Sequence, residues 1–66
     1  MNSRTHTSLI EIARYLDPND LESVEDFGRD CQQNRAFGTA KYIRATHADK
    51  RNVDRSMLIY HLDRDW

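Results

Sequence analysis

The chain is poor in residues that staple, break or loop a backbone. It has one cysteine, one proline and two glycines in 66 residues. A lone Cys31 excludes an intramolecular disulfide and suits a reducing compartment. Two glycines leave no glycine-rich loop of the kind that cradles phosphates. No apolar run approaches the roughly 18 residues of a membrane span. The first residues, Met1 to Thr7, are polar and lack the apolar stretch of a secretory signal. One domain, cytoplasmic and with no membrane partner, is the expectation. A chain this short buries only about 60% of the surface its unfolded form exposes. Its core therefore needs well-packed helices, a homodimer or a larger partner.

The chain is rich in charge. Charged residues make up 32% and hydrophobic residues 38%, which is polar for a globular domain but too apolar for a disordered one. The net charge of -1 hides an asymmetry. Residues 1–34 carry three bases against seven acids, and residues 35–55 carry six bases against two acids. The acidic residues Asp20, Glu22, Glu25 and Asp26 form one candidate binding face. Lys41, Arg44, Arg51 and Arg55 form another, of opposite sign. The two segments either screen each other side by side or face partners of opposite charge.

Hydrophobic spacing points to an all-α domain of three or four helices. Ser8-Leu9-Ile10-Glu11 reads as a capping box, with Leu9, Ile12, Ala13 and Leu16 as the apolar stripe behind it. The spacing predicts a first helix over 9–16, preceded by a frayed segment, 1–7. Asp17-Pro18 ends it and opens a second, because proline suits a first helical position. Either Asp17 or Asp20 can cap that helix. The acids that follow suit the positive end of the helix dipole, and Leu21, Val24, Phe27 or Gly28, and Cys31 form its stripe. Gly28 costs about 1 kcal/mol there against alanine, which suggests a close helix–helix approach. Phe37-Gly38-Thr39 reads as a break and a new cap, starting a third helix near Thr39 with Ala40, Ile43 and His47 on one side. Asn52 is the expected cap of a fourth. The run Met57-Leu58-Ile59-Tyr60 leaves an α+β alternative, in which a C-terminal β-hairpin pairs it with residues 41–47.

The constellations that carry chemistry are missing. Cys31, His6, His47 and His61 form no CxxC, HxxxH or HExxH unit, so no metal site is expected. Cys31 sits beside Asp30 on an apolar stripe, a setting for a packed thiol rather than a nucleophile. The carboxylates cluster where a helix N-terminus and solvent account for them. No catalytic residue and no cofactor are expected, and the protein is not expected to be an enzyme.

What remains is binding. Lys41, Arg44, His47, Arg51 and Arg55 are spaced 3, 3, 4 and 4, which on one continuous helix would make a basic stripe able to track phosphates. Asp49, Asp54 and the Asn52 cap interrupt it, and no helix-turn-helix register fits either glycine. The acidic face could instead imitate a phosphate backbone, although inhibitors of that kind are usually far more acidic. At the C-terminus, Tyr60 and Trp66 are candidate interface aromatics; Trp66 either anchors a partner or folds back on its own core. The reading is a small regulator, adaptor or inhibitor that docks on a larger protein, of a sort common in bacteria and their phages. A nucleic-acid-binding regulator using residues 41–55 is the alternative.

Overall fold

The computed structural model describes residues 3–66. It contains four α-helices: α1 Ser3–Tyr15, α2 Leu21–Gln33, α3 Phe37–Ala48 and α4 Arg55–Asp65. The main interfaces are α1 on α4, α4 on α3, and α3 on α2. The hairpin alternative fails. Residues 41–47 lie inside α3, residues 57–60 lie inside α4, and no strand occurs among the described residues. The apolar run is spread around a helix. Leu58 and Leu62 are fully buried one turn apart, while Met57 and Tyr60 point outward. No helix is long and apolar enough to cross a membrane among the described residues.

One core joins all four helices. Leu9 and Ala13 come from α1, Val24, Phe27 and Cys31 from α2, Ala40 and Ile43 from α3, and Leu58 and Leu62 from α4. The loops add Leu16, Ala36 and Val53. The Cα radius of gyration is 10.5 Å. A compact chain of this length should have about 10.8 Å, so the small core is fully collapsed.

The helix ends depart from the expectations in instructive ways. α1 already includes Ser3, the first described residue, so Ser8 lies inside it and caps nothing. Of the segment expected to fray, residues 3–7 are helical, while residues 1 and 2 lie outside the described residues. Thr7 instead donates its hydroxyl to the Ser3 carbonyl one turn back, at 2.9 Å. Ile12 does not join the stripe; it is 44% exposed and Tyr15 is 81% exposed. Ile10, off the expected stripe, packs on the core instead. Pro18 sits in the connecting turn, and Asp20 is the cap of α2, accepting from the Ser23 N–H and hydroxyl. Asn52 does not cap α4. Asp54 does, accepting from the Ser56 N–H at 2.9 Å and its hydroxyl at 2.6 Å. The Asn52 amide bonds Asn19 at 2.7 Å and ties two loops together.

Two helices end in Schellman motifs without a glycine. After α2, Arg35 has φ 64, and the N–H groups of Arg35 and Ala36 reach back to Gln32 and Cys31. After α3, Lys50 has φ 56, with the N–H groups of Lys50 and Arg51 on His47 and Thr46. The second of these turns breaks the chain between α3 and α4.

α3 starts where the sequence has no cap. Its N-cap is Ala36, fully buried and unable to accept a hydrogen bond through its side chain. The missing acceptor comes from the last turn of α4. Asp65 takes the N–H of Gly38 at 2.9 Å, the N–H of Thr39 at 3.0 Å and the Thr39 hydroxyl at 2.8 Å. These are the second and third helical N–H groups, which an N-cap side chain normally satisfies. Thr39 is therefore a fully buried partner of the cap, not the cap itself. Gly38 makes room: a Cβ there would lie 2.6 Å from Asp65 Oδ1.

Candidate partner-binding surface

The expected basic stripe does not form as one face. The turn at Lys50 separates its two halves, and its members do different work. Arg55 donates to the Arg14 carbonyl at 3.2 Å, in the last turn of α1, where carbonyls have no partner within the helix. Arg51 pairs with Asp49 at 3.2 Å. Lys41 and Arg44 remain on the outer face of α3, beside the half-exposed Phe37. Arg44 reaches across to Gln32 on α2, donating at 3.1 Å to a neutral acceptor.

The acidic residues are dispersed as well. Asp20 is held as a cap, and its hydrogen bonds from Ser23 keep its carboxyl below the usual value. Asp26 pairs with Arg29 on the same helix. Glu22 and Glu25 are exposed, and Glu25 lines the rim of a cleft. The C-terminal aromatics also part company. Tyr60 is 49% exposed, with the Arg64 guanidinium 5.4 Å from its ring centre. Trp66 is half-buried, packs on the core and meets the His6 ring at 5.1 Å. His6 in turn sits 3.0 Å from Asp63, so α1 and the end of α4 are joined by a short polar and aromatic chain.

Cys31 is fully buried, as the apolar stripe implied. Burial, with Asp65 and Asp30 nearby, pushes its thiol up to about 12. At neutral pH it is therefore a packed, protonated group rather than a nucleophile.

The feature that individual residue types did not reveal is a cleft between α2 and α3, of about 340 Å³. Its floor is Gly28, Ala40 and Ile43, and its rim carries Glu25, Arg29 and Arg44. The glycine opens it. A Cβ on Gly28 would lie 3.4 Å from Ile43, so α2 and α3 approach closely here and leave a shallow apolar trough above. His47 lines this cleft and also an adjoining one with Leu21, Lys50 and Arg51. Its Nε2 is buried and has no hydrogen-bond partner among the described residues. Leu21, expected in the core, is 57% exposed at this end. The signal in the sequence was Gly28 inside an apolar stripe; the rest of the cleft needs α3 beside α2. Comparison with protein-family models, with curated proteins and with solved structures finds no match.

Proposed function

We propose that this protein is a small docking module, a regulator, adaptor or inhibitor that acts by binding a larger protein. The observation that carries the reading is the α2–α3 cleft, an apolar floor open to solvent under a charged rim. Binding surfaces of this type place apolar contacts at the centre and polar groups around them. Exposed Leu21 extends the apolar area at one end.

The test is affinity capture from the native host with the intact chain, with and without nuclease. A parallel capture uses Gly28→Gln, which places a side chain in the trough. Gly28 is only partly buried, so the longer side chain can run along the trough toward solvent. Circular dichroism checks that this variant folds. A protein that survives nuclease and is lost with Gly28→Gln supports the reading. Partners that vanish on nuclease treatment would replace it with the nucleic-acid reading. Capture unchanged by Gly28→Gln would move the docking surface away from this cleft.

A further inference from the structure

The geometry points to an acidic, amphipathic helical segment of a partner protein as the occupant of the α2–α3 cleft. This rests on the docking reading above and names the chemistry of its partner. Two properties of the cleft select it. The first is the floor: Gly28, Ala40 and Ile43 offer apolar contact in a trough between two helices. A helix laid in such a groove inserts side chains spaced three and four residues apart.

The second property is the charge left on the rim once internal pairs are discounted. Arg29 is neutralised by Asp26 and Arg51 by Asp49. Arg44 is bonded only to the neutral Gln32 amide and keeps its charge. Lys50 lines the adjoining cleft, held in place by its positive-φ turn. Against these two cations, the acid lining the clefts is Glu25. A segment with aliphatic side chains on one face and carboxylates on its flanks complements this pattern. A phosphate backbone complements it less well, because the apolar floor offers it no donor. His47 lines both clefts, and its buried Nε2 has no hydrogen-bond partner among the described residues.

The experiment uses the full chain labelled with nitrogen-15 and three synthetic peptides of about 15 residues, long enough to form a helix. All three share leucines at helical spacing and differ only in flanking residues: glutamate, glutamine or lysine. A single-stranded oligothymidylate is the fourth probe. The glutamate peptide should bind about tenfold tighter than the glutamine peptide, and the lysine peptide weakest. Amide shifts should cluster at Gly28, Ala40, Ile43 and His47. The double variant Arg44→Glu/Lys50→Glu changes only exposed side chains and should reverse the order of the peptides. Equal affinities, or a preference for lysine, would overturn the inference. So would binding of the oligonucleotide alone at the cleft. Concentration-dependent shifts there without any probe would assign the cleft to a second copy. If Gly28→Gln abolishes capture of a host protein while the peptides show no acidic preference, docking stands and this inference falls.

Discussion

The starts of α2 and α4 contrast with the start of α3. α2 and α4 are each closed by an aspartate immediately before the helix, Asp20 and Asp54, bonded to a serine two or three residues on. α3 has alanine at that position and borrows Asp65, which bonds the Thr39 N–H across 26 residues of sequence. The local caps are exposed and cost the chain little to order. The distant cap forms only when α4 has docked on α3. It makes three hydrogen bonds to a carboxylate beside the buried Thr39 and Cys31, where a lost partner leaves donors away from water. A helix start can therefore belong to the tertiary structure.

The sharpest way to break the comparison is Asp65→Ala. It should cost about 2–3 kcal/mol, since it strips the charged acceptor from two backbone donors and a buried hydroxyl. Thermal or urea unfolding measures this, and a loss no greater than that of Asp54→Ala would end the distinction. The same variant should speed alkylation of Cys31, which in the parent is buried and protonated and reacts only through opening of the fold. Rapid labelling of the parent would contradict the packed thiol.

Gly38→Ala comes next, at about 1–2 kcal/mol. Its new Cβ would meet Asp65 Oδ1 at 2.6 Å, so the carboxylate must swing away and part of the cap is lost. Alanine's better helix propensity offsets some of that loss. In the double variant with Asp65→Ala, alanine at 38 should become neutral or stabilising, which a double-mutant cycle would show.

Asp20→Ala and Asp54→Ala should lower stability less than Asp65→Ala, with a recognisable pH signature. Hydrogen bonds from Ser23 and Ser56 hold both carboxyls below the ordinary value of 3.8. Their contribution is therefore whole above that pH and fades as pH falls through the lower folded values. Acid unfolding of each variant should converge on that of the parent at low pH. Curves that stayed parallel to the lowest pH would show that these carboxylates do not act through ionised caps.

The smallest effects should be gains. Arg35→Gly and Lys50→Gly each relieve a positive-φ backbone and should add about 0.5–1 kcal/mol after the entropy of the more flexible unfolded chain is counted. A loss at Lys50 with no change at Arg35 would mean that the Lys50 side chain itself stabilises the fold.

Much of the fold was legible because its signals are local. The stripes Leu9–Ala13–Leu16 and Val24–Phe27–Cys31 repeat at helical spacing and are buried. Asp20 was one of two caps the sequence offered for α2. The errors share a cause. Ile12 and Leu21 fit their stripes but lie on helix flanks that no neighbour covers. Asn52 is a good cap by type, yet Asp54 lies directly before the helix with Ser56 in reach. The candidate site was less legible still. Sequence proximity groups the charges by sign, whereas in the folded chain Arg29, Arg51 and Asp26 are paired internally and Arg55 serves the end of α1.

The sequence by itself determined the first two helices, most of their buried stripes, the packed state of Cys31 and the two candidate caps of α2, since each rests on residues within about four positions of one another. Only the tertiary structure decided where α3 begins and that Gly28, Ala40 and Ile43 form the floor of one cleft. Those features depend on which helices lie side by side. The pairing of Asp65 with the start of α3 is a contact between distant residues, and helical periodicity carries no record of it.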